Sequence, residues 1–130
     1  MKTLLAQLCA NRFITCSPDG VLHLTWRQCT LHLSHLDLMQ IVQFLEQVEA
    51  KWQPGFIFGD RSCQICQSQG DRVILWLLGV GFMLTPEEIG ELHRLGSMAV
   101  KRYHTIAHEP IRMLVDAELP SYPAMVLSLN

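Results

Sequence analysis

Residues 20–48 read GVLHLTWRQCTLHLSHLDLMQIVQFLEQV, and their reading decides the fold. Leu22, Leu24 and Trp26 alternate with His23 and Thr25, the pattern of a half-buried strand. The apolar parity then switches from even to odd, and Cys29, Leu31 and Leu33 carry it onward. Such a switch marks a bulge or a turn, and Arg27-Gln28 has the length of a two-residue hairpin turn, although neither residue favours one. Ser34 follows, with Asp37 three residues later, placing a hydroxyl and a carboxylate at a helix start. Leu38, Ile41, Val42, Leu45 and Val48 then recur at helical spacing, and the helix is expected to end near Lys51, before QPG.

The same pattern returns 51 residues further on. Val73, Leu75 and Leu77 stand where Leu22, Leu24 and Trp26 stood, and Val80, Phe82 and Leu84 match Cys29, Leu31 and Leu33. Leu78-Gly79 takes the turn. Thr85 takes the cap, with Pro86 at the first helical position and Glu88 completing a capping box. Ile89 and Leu92 continue the helical phase of Leu38 and Ile41. Upstream, RFITCSPDG and CQICQSQGD each read as a strand running into a turn, with Pro18-Asp19-Gly20 the stronger turn signal.

The expected fold class is therefore α+β: a mainly antiparallel sheet built from a duplicated β-β-β-α unit, related by a pseudo-twofold axis, with helices on one face. The whole chain of 130 residues is read as a single domain, with an internal repeat over about 12–51 and 63–102 and a C-terminal segment at 109–130. The second helix is expected to run on through Leu95, Ala99, Tyr103 and Ile106, with Gly96 permitting a kink. A separate short helix is expected from Pro110, followed by an extended apolar piece, Ala124 to Leu129.

Composition sets the function classes. Hydrophobic residues make up 49% and charged residues 17%, so a core can form and disorder is not expected. Net charge is −2 and the seven arginines are scattered, which gives nucleic-acid binding no electrostatic basis. No apolar run reaches the ~20 residues a membrane span needs. The N-terminal MKTLLAQLCANR is too short in its apolar run for a secretion signal. It is read as an amphipathic helix burying Leu4, Leu5 and Leu8. Five cysteines, an odd number without an export signal, point to reduced thiols and a cytoplasmic location.

Cys63 and Cys66 form a C-x-x-C pair, which raises zinc or redox chemistry as an alternative. On a strand they face opposite ways, with Cα atoms about 10 Å apart. A disulfide needs less than ~7 Å, and one zinc ion cannot take both thiolates. Cys29, His32 and His35 are the only complement nearby, and Cys29 and His32 also diverge on a strand. No metal and no cofactor is therefore expected.

The hairpin register pairs Trp26 with Cys29, Thr25 with Thr30, Leu24 with Leu31, His23 with His32 and Leu22 with Leu33. One face is apolar, while the other carries His23, His32, Thr25 and Thr30, a candidate ligand-binding group. Two imidazoles with Cβ atoms about 5 Å apart can share a transition-metal ion or act as acid and base. No carboxylate is fixed beside them and no nucleophile is evident, so the more ordinary reading is two solvated side chains. His93 falls on the second helix. His104 and His108 are four apart but lack the Glu of a metalloprotease motif.

In the second copy the outer face carries Trp76 opposite Gly81 and Ile74 opposite Met83. Ile74, Trp76 and Met83 would form an apolar patch of the size that marks an interface. Either the C-terminal segment or a second subunit would cover it, and the homodimer is the preferred reading. The expected function is a non-catalytic protein-interaction or scaffolding module that self-associates and has room for a protein partner. The alternative is a small-molecule or metal-binding protein, with enzymatic use open, built on His23 and His32.

Overall fold

The computed structural model describes residues 2–117, with side chains through residue 106. The fold class is α+β: two antiparallel four-stranded sheets and two helices. The first sheet holds β1 (Thr3–Cys9), β2 (Arg12–Cys16), β3 (Leu22–Trp26) and β4 (Cys29–Leu33) in chain order, and α1 (His35–Lys51) follows. The second holds β5 (Phe58–Gly59), β6 (Cys63–Gln67), β7 (Val73–Leu77) and β8 (Val80–Leu84), also in order, followed by α2 (Pro86–Ala117).

Both hairpins take the register that the parity switch requires. Leu22 pairs with Leu33, His23 with His32 and Trp26 with Cys29; Val73 pairs with Leu84, Trp76 with Gly81 and Leu77 with Val80. Each tight turn forces a non-glycine residue into positive φ, Arg27 at +60° and Leu78 at +52°. Their amides are held alike: Arg27 N–H donates to Asn11 O at 2.6 Å, and Leu78 N–H to Ser62 O at 2.7 Å. Both helices open on reciprocal capping boxes. Asp37 N–H donates to Ser34 Oγ at 3.0 Å and Ser34 N–H to Asp37 Oδ2 at 3.1 Å. Glu88 N–H donates to Thr85 Oγ1 at 3.3 Å and Thr85 N–H to Glu88 Oε1 at 3.1 Å.

The chain divides into two compact units. One contains Met1–Leu38 and Leu95–Asn130, hence the β1–β4 sheet, the first turn of α1 and the later part of α2. Its buried side chains include Ile14, Leu22, Leu24, Trp26 and Leu33 from the sheet and Leu95, Ala99 and Tyr103 from α2. The other contains Met39–Arg94, hence most of α1, the β5–β8 sheet and the first turns of α2. It buries Ile65, Val73, Leu75, Leu77 and Leu84 with Ile41, Leu45 and Val48 of α1 and Ile89 and Leu92 of α2. Each buried Val, Leu or Ile among these contributes about 1.5–3 kcal/mol relative to exposure.

Four expectations are corrected. The N-terminal stretch is the strand β1, paired with β2 through Gln7↔Phe13 and Ala6↔Ile14, and is no helix. A register shift between Leu4 and Ala6 lets the consecutive Leu5 and Ala6 both turn inward, which imitates a helical stripe in sequence. Leu4, expected inside, is half exposed. Each sheet has four strands where three were expected, because β1 was read as helix and β5 is two residues long; the strands form two sheets. The helix expected to begin at Pro110 is part of α2, which continues past Gly96 to Ala117 without a break. The extended piece expected at 124–129 lies outside the described residues.

Candidate functional site

Antiparallel pairing places His23 at the centre of the outer face of the first sheet. Thr15 lies opposite it on β2 and His32 opposite it on β4. The two imidazole rings meet edge to face with centroids 4.4 Å apart. Beside them Thr25 Oγ1 and Thr30 Oγ1 are 3.2 Å apart and share a hydrogen bond. The four residues chosen for a ligand site therefore lie together on one sheet face.

Ser17 joins this group, and it was not among the candidates. Its Oγ lies 2.6 Å from His23 Nε2. Strand parity carries the signal: Ser17 is two residues beyond Thr15, which pairs with His23, so both fall on the same side. His23 is held below the ordinary imidazole range, mainly by burial, then by Lys2 and His32, with Asp19 acting in the opposite sense. In the tautomer with its proton on Nδ1, Nε2 accepts a hydrogen bond from the Ser17 hydroxyl; in the other tautomer Nε2–H donates to Ser17 Oγ.

A second group gathers in the same unit. His35, the first residue of α1, stacks on Tyr103 with centroids 4.3 Å apart and meets the His104 ring edge-on at 4.9 Å. His35 Nε2 is buried and has no hydrogen-bond partner among the described residues. Burial, then His104, lowers the His35 pKa. Tyr103 is pushed up by burial and then by Cys16, and Cys16 by burial and then by Asp19. The side chain of His108, four residues beyond His104, lies outside those described.

Cys63 and Cys66 emerge on opposite faces of β6: Cys63 pairs with Leu77 on the buried side and Cys66 with Ile74 on the outer side. Cys29 and His32 diverge in the same way on β4. Among the described residues no group of three or more His, Cys, Asp or Glu side chains is spaced to hold a metal ion. His93 instead sits between two carboxylates of α1, with Nε2 3.5 Å from Glu46 and Nδ1 3.4 Å from Glu49.

The outer face of β7 and β8 brings Ile74, Trp76 and Met83 together. Trp76 is 42% exposed and Met83 48%, while Ile74 is half-buried. The indole lies flat on Gly81: a Cβ at that position would stand 3.0 Å from Trp76 Cζ3 and 3.1 Å from Cη2. On the corresponding face of β3 and β4, those positions hold His23, Thr25 and His32.

Comparison of the chain with family models, with known proteins and with solved structures gave no match. Among the described residues no helix is long and apolar enough to cross a membrane.

Proposed function

We propose that the protein is an interaction or scaffolding module that self-associates as a homodimer through the outer face of β7 and β8, where the work of Ile74, Trp76 and Met83 is binding. One observation carries this reading: an indole exposed by 42%, seated on a glycine and flanked by an exposed methionine. Trp and Met are enriched at protein interfaces, and a contiguous apolar patch on a sheet face costs free energy until it is covered. Room for a protein partner and a cytoplasmic setting complete the proposal.

The chain is further read as one domain made by pseudo-twofold duplication. Support comes from features that recur at a constant offset of 51 residues: the two hairpin registers, the positive φ at Arg27 and Leu78, the amide bonds to Asn11 and Ser62, and the two capping boxes. Matching a strained backbone angle and its hydrogen bond requires more than matching apolar periodicity.

Sedimentation equilibrium tests self-association. The expected mass is twice the chain's 14.8 kDa for the native protein and the single-chain value for Trp76→Glu. A native monomer at about 100 µM, where dimers of standard interface size persist, sinks the dimer reading, as does an unchanged dimer in Trp76→Glu.

A second reading has its own observation. The 4.4 Å approach of His23 and His32 suits capture of a small ligand or a divalent transition metal. Titration calorimetry with nickel or zinc, native against His32→Ala, is expected to show one site that the substitution removes; no heat in the native protein rejects it.

A further inference from the structure

Ser17 is held at both ends. Its N–H donates to Val21 O at 2.9 Å and its carbonyl accepts from Gly20 N–H at 2.9 Å, so the Ser17–Gly20 turn fixes the hydroxyl's origin. The pairing of Thr15 with His23 fixes the imidazole, and the His32 ring backs it. The resulting 2.6 Å contact is the geometry a base needs to take a proton from a hydroxyl. Because burial lowers the His23 pKa, the ring is neutral and able to act as that base near neutral pH. Ser17 also lines a cavity of about 50 Å³ with Leu5, Cys16, Pro18, Tyr103 and Ile106. Nucleophile and base thus meet beside a small, mainly apolar recess that Ser17 lines and His23 does not.

The chain supplies its own control. Ser68 lies 51 residues further on and repeats the backbone bond of Ser17, donating from N–H to Arg72 O at 2.9 Å. The residue in the position of His23 is there Ile74, which pairs with Cys66 and Met83. A serine in the same backbone setting therefore stands without its imidazole.

We propose that Ser17 is a nucleophile activated by His23 and accepts an acyl group from an activated ester. Ser17 Oγ bonds to the acyl carbon while its proton passes to His23 Nε2. The bond from that carbon to the leaving oxygen breaks, and His23 returns the proton to that oxygen. Water then bonds to the acyl carbon as His23 takes its proton; the bond from that carbon to Ser17 Oγ breaks and His23 returns the proton to Oγ, releasing a carboxylic acid and restoring the hydroxyl. This activity goes beyond the interaction face, and it takes His23 from the ligand-pair reading and gives it a different task.

The test treats the full chain with a phosphonofluoridate, which forms an Oγ–P bond at an activated serine as the P–F bond breaks and fluoride leaves. Peptide mass spectrometry then locates the adduct. The expected result is labelling at Ser17 and none at Ser68, with the rate falling about a hundredfold in His23→Gln. Hydrolysis of p-nitrophenyl acetate is expected to rise with pH through the titration of His23 and to be lost in Ser17→Ala. Absence of an adduct at Ser17, equal labelling of Ser17 and Ser68, or an unchanged rate in a folded His23→Gln chain each overturns the proposal. Should His23→Gln fail to fold, the comparison of Ser17 with Ser68 in the native protein still decides. Metal calorimetry and sedimentation judge the other two readings separately.

Discussion

At the scale of single residues, backbone geometry and titration set the sharpest expectations. Gly59 has φ +124°, and a Cβ there would meet the Cys63 carbonyl oxygen, Gln64 Cα at 2.8 Å and Phe44 Cε1 at 2.9 Å. Two of those atoms are backbone and cannot swing aside. Gly59→Ala is therefore expected to cost about 1–3 kcal/mol, read as a lower urea midpoint; a midpoint within error of native refutes the close approach. His35 gives a pH dependence of defined sign. Its folded pKa is lowered by burial and by His104, below the unfolded value of about 6.5. Above that value neither state binds the proton and its contribution is full. As pH falls below it, the unfolded state takes the proton first, and stability declines until the folded pKa is passed. His23 acts in the same direction. Urea midpoints are expected to fall from about pH 8 to about pH 5, with a shallower fall in His35→Phe; an equal slope in both proteins would assign the effect elsewhere. Neither His35 stacking on Tyr103 nor the bond between Ser17 and His23 was chosen from sequence. The first joins residues far apart in the chain; the second was within reach of strand parity but needed the turn after Cys16 to fold back.

At the scale of elements, local rules had most of the information. A two-residue turn allows one register in which all inward side chains are apolar, and both hairpins adopt it. Turn chemistry gave the weaker signal, since Arg27 and Leu78 accept positive φ without being residues that favour it. The caps were legible because Ser34 with Asp37 and Thr85 with Glu88 act within one turn. Ser34→Ala is expected to cost about 1 kcal/mol, measured by thermal or urea unfolding, and an unchanged stability would show that the Asp37 side of the box suffices. The N-terminal strand was misread because a bulge breaks its alternation: Leu5 and Ala6 are both buried. A seven-residue strand so interrupted has too few positions to separate a period of two from one of 3.6.

For the whole molecule, the partition of the helices is the feature no periodicity announces. The repeat suggests that α1, which follows the first sheet, should complete that sheet's core. Instead residues from Met39 onward group with the β5–β8 sheet, and α2 from Leu95 onward groups with β1–β4. Leu95→Ala and Leu45→Ala, both fully buried in the native protein, are each expected to cost about 2–5 kcal/mol. Hydrogen exchange should then separate them: Leu95→Ala is expected to loosen β2 and β3 first, and Leu45→Ala β6 and β7. The opposite pattern would return each helix to the sheet that precedes it.

The registers of the two tight hairpins, the parity of their faces, the capping boxes and the phase of α2 from Ile89 to Tyr103 were determined by the sequence alone. Each depends on hydrogen bonds and side-chain directions within a few residues, where geometry leaves few choices. Only the tertiary structure decided that Leu95, Ala99 and Tyr103 belong with the first sheet, that residues 3–9 form a strand, and that Ser17 meets His23. The physical reason is that burial of apolar surface is non-directional. An amphipathic stripe states that it must be covered and carries no label for what covers it.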